Sequence, residues 1–385
     1  MTKQEIAEIK KLLTPKKCSI TRICGCYVDG EKNKKTELKQ AFLALPEEEM
    51  FKYFEILRKV LSGTVGKNLL TLEFPLASEE TGGTQDFLLR LRDSKLKDDI
   101  LLEEFYDRII DNYEFVGNYL ILVVHDMYDV PGRTLDGIEM EDASDEVYEY
   151  ILACICPVEL SKPGLSYNAV ENTFQNRIRD WVVGLPDTGF LFPAFNDRGS
   201  DIHSTLYYSK DPEELKDSLV DQLLGCPLPL SAGSQKETFQ TLVEETLGEA
   251  CDIETVKNIH DKLNEMAEEH KDEPQPLVLD KNEVKTILAG SGVSNDRLAQ
   301  FDRHYDETAG ETTSLLASNV MNTRTFEVKT PDVVIKVNPE RTDLIETKVL
   351  NGRECLVIEL GGSVVVNGIT VRAGGIADAE DEEEY

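Results

Sequence analysis

Asn118-Tyr-Leu-Ile-Leu-Val-Val-His-Asp-Met-Tyr-Asp129 and Val147-Tyr-Glu-Tyr-Ile-Leu-Ala-Cys-Ile-Cys-Pro-Val158 decide the fold of this chain. Both are rich in β-branched and aromatic residues, which pack well on a pleated surface, and acidic or turn residues bound them. Leu120–Val124 is apolar at every position. A strand wet on one face would carry a polar residue at every second place, so this run predicts burial on both faces in mid-sheet. An acidic loop joins the two stretches, with Asp136, Glu139, Glu141, Asp142, Asp145 and Glu146 following Asp129. The expectation is a central antiparallel pair.

Toward the N-terminus, Cys18–Gly30 reads as a strand running into an Asp-Gly turn. Lys32–Lys35 is expected as a hairpin loop and Thr36–Phe42 as its second strand. Pro46 opens a helix with Glu47–Glu49 at its positive end and Met50, Phe51, Phe54, Leu57 and Val60 as a core face. Thr2 and Glu5 have the spacing of a capping box for a first short helix. Thr84–Asn112 is helical in period, with a break near Asp93–Lys95. Beyond the central pair, Pro163-Gly164 precedes an expected helix through Phe174, Ile178 and Trp181. Then come Gly189–Phe195, a turn at Asn196–Gly199, a strand Ile202–Tyr208 and a helix from Asp211 to Gly225. Residues 18–63 and 189–225 thus share one order of elements, a weak internal duplication. Hairpins with helices between them predict an α+β fold with a mixed or antiparallel sheet.

Pro227, Pro229, Ser231 and Gly233 mark a boundary. The reading is an α+β domain over 1–230, a helical pair and linker over 231–276, and a domain over 277–373 of a helical hairpin plus a small antiparallel β-meander. Within the last, Asn351-Gly352 and Asn367-Gly368 are hairpin turns by type, because both residues of that turn need positive φ. Residues 374–385, Gly-rich and then acidic, are expected to be disordered.

The 385 residues are 41% hydrophobic, enough to fill cores, and carry a net charge of −32. So acidic a surface repels phosphate backbones, which disfavours nucleic acid as a general partner. Residues 1–40 run the other way, with ten basic residues against five acidic ones. That stretch is either a solvated, internally paired face or a docking patch for an acidic partner. No leader pattern opens the chain and no apolar run approaches the ~20 residues that cross a bilayer, so no membrane is expected. Eight cysteines, several inside apolar strands, fit a reduced cytoplasmic chain without a disulfide framework.

Four motifs are candidates for chemistry. Cys24-Gly-Cys26 and Cys154-Ile-Cys156 together supply four thiolates, the number in a structural zinc site. Residues two apart on a flat strand lie about 7 Å apart, so core packing is the better expectation. His125 and Asp126 close the first central stretch, and with Asp129 and the acidic loop they offer carboxylates to a divalent cation. Five histidines scattered singly assemble no triad, and no catalytic or cofactor-binding residue is assigned. Ser62–Asn68 has the glycines and lysine of a phosphate loop without its spacing. Val284–Phe301 resembles a helix-turn-helix about Gly292-Val-Ser294. Arg297, Arg303 and His304 lie on its would-be reading helix, where Asp296, Asp302, Asp306 and Glu307 would face phosphates.

Thr21–Gly30, Leu45–Phe54, and Ala317-Ser-Asn through Phe326–Pro339 resemble an uncharacterised bacterial family, a domain of unknown function spanning nearly the whole chain. That resemblance implies no activity, substrate or site residue. The order of elements is also similar to that of acidic nucleoid-associated bacterial proteins, an analogy of fold alone. The expected function is a non-enzymatic binding or regulatory role through contacts with a protein partner. The alternatives are nucleoid association through DNA, and a metal- or thiol-dependent enzyme; no cofactor is expected.

Overall fold

The computed structural model describes residues 1–133, 139–311, 313–322, 325–359 and 363–372. The chain divides into two units, 1–237 with 272–277, and 238–271 with 278–385.

The first unit begins with α1 (Lys3–Leu12), β1 (Arg22–Val28), β2 (Lys34–Ala41), α2 (Glu47–Val60) and β3 (Leu69–Glu73). Three helices follow, α3 (Leu76–Glu79), α4 (Thr84–Asp93) and α5 (Asp99–Asn112), and then the long strands β4 (Asn118–Arg133) and β5 (Glu139–Leu160). After them come β6 (Leu165–Asn168), β7 (Thr173–Asn176), β8 (Trp181–Val183), β9 (Thr188–Phe192), β10 (Ala194–Asn196), β11 (Gly199–Asp201), β12 (Ser204–Ser209) and α6 (Asp217–Leu219). The sheet order is β2-β1-β4-β5-β9-β12-β3, with β8 also on β5. Every one of its ladders is antiparallel. The two stretches that open the sequence reading therefore lie side by side at the centre. One hairpin, β1–β2, flanks them on one side, and β9–β12 flanks them on the other.

Leu120–Val124 is apolar throughout because helices cover both faces. On one, Phe87, Leu91, Phe105 and Ile109 of α4 and α5 pack over Ile121, Val123, Ile151 and Phe190. On the other, Ile6, Ile9, Phe54 and Val60 of α1 and α2 pack over Leu122, Val124, Leu152 and Leu191. Two glycines let the sheet close. A Cβ on Gly25 of β1 would lie 2.6 Å from the carbonyl oxygen of Ile121, and one on Gly189 of β9 would lie 2.5 Å from that of Ala153. Each flanking strand thus carries a glycine where it meets the central pair.

Local signals place the helices. Thr2 and Glu5 form the capping box on α1, and Asp98 accepts from the backbone N–H of Ile100 and Leu101 to start α5. Between α4 and α5 the chain reverses through Lys95 and Leu96, with φ of 53° and 56°. Left-handed backbone at two non-glycine residues costs about 1–2 kcal/mol each. The buried Leu96 side chain and the Arg22 guanidinium, which donates to the Leu96 carbonyl at 3.3 Å, offset it.

Three expectations are corrected. The helix through Phe174, Ile178 and Trp181 does not form; those residues lie on or between β7 and β8. Their spacing of four and three is helical by coincidence, while the surrounding Tyr, Val, Thr, Phe and Trp favour strands. The helix expected from Asp211 starts at Asp217 and widens into a π-helical turn, Val220–Leu224, stopped by Gly225 at φ 67°. The central strand does not end at His125-Asp126; it continues to Arg133 against β5.

The boundary between the units falls within α7 (Ala232–Leu247). The second unit holds α8 (Ile253–Glu269), β13 (Val278–Leu279), α9 (Lys281–Gly290), α10 (Asn295–Thr308), β14 (Leu315–Leu316) and α11 (Ala317–Val320). Three hairpins complete it: β15 (Phe326–Lys329) with β16 (Val334–Val337), β17 (Ile345–Leu350) with β18 (Arg353–Ile358), and β19 (Ser363–Val366) with β20 (Ile369–Arg372). Asn351-Gly352 and Asn367-Gly368 make the last two turns, all four residues at positive φ. The tail 374–385 lies outside the described residues. Among the described residues, no helix is long and apolar enough to cross a membrane.

Candidate functional site

Residues 161–185 leave the sheet at the end of β5 and return through β8. Leu165, Tyr167, Val170, Phe174, Ile178, Trp181 and Val182 in this arm are all more than half exposed. Trp181 is the one tryptophan of the chain. Main-chain bonds hold the arm while its side chains face water. At its base Ser161 N–H donates to the Asp180 carbonyl and Arg177 N–H to that of Gly164, each at 2.8 Å. Arg179 Nε donates to the Ser161 carbonyl at 2.7 Å. At its tip Asn168 Oδ1 accepts from the N–H of Val170 and Glu171, and Asn172 turns the chain at φ 50°. Tyr167 and Phe174 face each other across the ladder with ring centres 5.6 Å apart. Among the described residues β8 pairs with β5 alone, so its outer edge is open. An ordered patch of aromatic and aliphatic residues with Arg177 and Arg179 among them has the composition of an interface centre.

Leu185, next along the chain, lines a groove of about 480 Å³ with Lys10 of α1, Phe51, Glu55, Arg58 and Lys59 of α2, and Ser62. Positions 51, 55, 58 and 59 share a helix face. Phe51, expected in the core, is 49% exposed here. Its place on the helix sets it one step around from Phe54 and Leu57, which hold the sheet side. Lys10 Nζ donates to Ser62 Oγ at 2.6 Å, and that hydroxyl donates to the Arg58 carbonyl at 2.5 Å.

The residues singled out in the sequence are mostly kept apart. Cys24 and Cys26 pack under α4 and α5, whereas Cys154 and Cys156 pack under α1 and α2. Opposite faces of one sheet cannot share a zinc ion. The Cys154 and Cys156 sulfurs are 3.9 Å apart, closer than a flat strand would set them. Burial pushes Cys24 and Cys26 up to about 11, and the Cys156 thiol together with burial pushes Cys154 well up. Cys24, Cys26 and Cys154 are therefore protonated thiols at neutral pH, and poor nucleophiles.

His125 and Asp126, neighbours in sequence, point to opposite faces. The imidazole, 3% exposed, is held below its ordinary range by burial, with Nε2 3.5 Å from a Glu149 carboxylate oxygen. Asp126 accepts from the backbone N–H of Ser19 and Met127 at 2.8 and 2.9 Å and from Tyr150 Oη at 3.0 Å. Burial pushes its carboxyl up to about 6. Asp129 is exposed. Asp136 and the side chains of Glu139, Glu141, Asp142 and Asp145 lie outside the described residues. Glu146 accepts from Ser200 N–H at 3.1 Å, bracing the turn between β10 and β11. Among the described residues, no three His, Cys, Asp or Glu side chains gather as a metal site.

In the second unit α9, the Gly292 turn and α10 form the expected helical hairpin. Its charges are spent internally: Lys281 with Asp306 and Lys285 with Asp302, each at 2.7 Å, and Arg303 with Glu307 at 2.8 Å. Arg297 lies against Gly248, and His304 is half-buried. The basic N-terminal stretch is also partly paired. Lys34 bridges Glu103 and Asp107, Lys35 meets Asp29, and Lys39 meets Asp99. Lys10 is different, because it lines the groove.

Sequence reasoning missed both the arm and the groove. The available signal for the arm was a lone tryptophan beside two arginines in a segment with turn residues at both ends. Residues 1–369 match the family described as domain of unknown function DUF4317, and the chain belongs to that family. No curated protein and no solved structure matches it.

Proposed function

We propose that this protein works by binding a partner protein, with the arm 161–185 as the contact surface. The observation that carries the reading is the run of exposed apolar side chains from Leu165 to Val182 on a main chain fixed by hydrogen bonds. Each such side chain gains roughly 1.5–3 kcal/mol on full burial, and the arm buries none of them on its own sheet. A partner that covers the arm recovers that energy, and the open edge of β8 offers backbone groups for strand addition. Burial of the His125 imidazole and of Cys24, Cys26, Cys154 and Cys156 supports the same reading, because these side chains pack as core. Cys24, Cys26, Cys154 and Cys156 are buried core residues, which supports a reducing compartment, and a cytoplasmic location is part of this proposal.

Affinity capture tests the reading with the full chain and a Tyr167→Ser, Phe174→Ser, Trp181→Ser variant. These side chains are 55%, 71% and 55% exposed, so the fold keeps its core. Truncating a buried interface aromatic costs about 2 kcal/mol or more, roughly thirtyfold in affinity. A protein retained by the wild type is expected to be lost from the variant. Equal retention by both overturns the proposal.

A further inference from the structure

We infer that the groove lined by Lys10, Phe51, Arg58, Lys59 and Leu185 seats an acidic peptide segment of a partner protein. Its carboxylates meet the three cations, and an apolar side chain lies between Phe51 and Leu185. The groove shares only Leu185 with the arm, and the inference does not depend on the arm's other apolar side chains.

Charge is the first argument. The chain has 73 carboxylate residues for 41 Lys and Arg, so cations in excess at one place are uncommon on it. Lys34, Lys35 and Lys39 of the same N-terminal stretch are all paired with carboxylates. Among the described residues, Lys10, Arg58 and Lys59 have no such partner, although Glu55 lines the same groove. Three cations without carboxylates complement a ligand that brings its own.

Geometry is the second. Lys10 is held in place by Ser62 Oγ, which reduces the entropy lost when a carboxylate binds. Phe51 and Leu185, 49% and 45% exposed, give the groove two apolar walls. A volume of about 480 Å³ takes a few residues of peptide. Glu55 and the net charge of −32 set a continuous phosphate backbone at a disadvantage against a short peptide with spaced charges.

The test is fluorescence anisotropy with the full chain and a labelled synthetic peptide of three Glu-Glu-Leu repeats, at low and physiological salt. A peptide of Lys-Lys-Leu repeats and a single-stranded DNA oligonucleotide serve as competitors. Saturable binding is expected to the acidic peptide alone, and to weaken as salt rises. Arg58→Glu with Lys59→Glu should lower affinity about tenfold or more, because two attractions become repulsions. Arg90→Glu with Lys97→Glu, the same charge change on the opposite face of the sheet, should leave it within about twofold. If the double reversal fails to fold by circular dichroism, Lys10→Glu alone must still weaken binding about threefold. Absence of saturable binding, an equal loss in both double variants, or tighter binding of the oligonucleotide would overturn the inference. Because the arm variant with three serines should bind the peptide normally, failure of this idea and failure of the arm are told apart.

Discussion

Gly189→Ala is expected to destabilise the first unit by about 3 kcal/mol or more, at the upper end of what overpacking costs. The new Cβ would stand 2.5 Å from the Ala153 carbonyl oxygen, and 3.0 and 3.1 Å from the two γ-methyls of Val60. Side chains adjust to such contacts more cheaply than backbone does. The Val60 methyls can turn aside, but Ala153 belongs to β5 and is held by ladders on both sides. Adding Val60→Ala should therefore restore part of the loss and not all of it. Gly164→Ala is the control, since a Cβ there meets nothing within 4 Å. Its effect should stay within about 0.5 kcal/mol. Denaturant unfolding followed by circular dichroism reads all three, and equal midpoints for Gly189→Ala and Gly164→Ala would refute the close approach of β9 to the central pair.

Asp126→Asn is expected to stabilise the protein above pH 6 and to make no difference near pH 4. Asparagine keeps the local contacts: Oδ1 still accepts from Ser19 and Met127 N–H, and Nδ2 donates to Tyr150 Oη in place of the bond now running the other way. What it removes is a buried charge. The Asp126 carboxyl sits at about 6 in the fold against its ordinary 3.8. The folded state therefore holds this proton more tightly than the unfolded chain. The stabilisation is full below 3.8 and is lost as pH rises to 6, a change of roughly 3 kcal/mol for about two pKa units. Tyr150 and Cys18, which face Asp126, stay neutral across that window because burial holds both above their ordinary values. His125 titrates in wild type and variant alike, so it cancels in the difference. Unfolding free energies of both proteins at pH 4 and pH 7.5 give the answer, and a difference that does not change with pH would contradict the burial of this charge.

How much of this was legible follows from how local each cause is. Leu120–Val124 announced a central strand because burial on both faces leaves its mark on every residue. Asn351-Gly352 and Asn367-Gly368 announced hairpins because left-handed backbone at two successive positions selects those residues. The opposite faces of His125 and Asp126 were also in the sequence, since neighbours on a strand alternate. Whether Cys24 shares a face with Cys154 was not. That depends on the register of β1 on β4 and of β4 on β5, set by the whole sheet. The groove was hidden for a similar reason, because Lys10 and Leu185 meet only through the fold. The arm was misread for a different one. Apolar residues at spacings of three and four are normally the core face of a helix, and Phe174, Ile178 and Trp181 break that rule by facing water. A place where apolar pattern and burial disagree is where a partner is expected.

That expectation is the central claim, and a photo-crosslinking residue at Val170 tests it most directly. Val170 is 94% exposed at the tip of the arm, and Ile100 on α5 is 80% exposed away from it. Illumination of cells or native lysate carrying each variant should give a discrete adduct with a second protein from position 170 and none from position 100. Adducts of equal yield from both, or from position 100 alone, would contradict the arm as the binding surface.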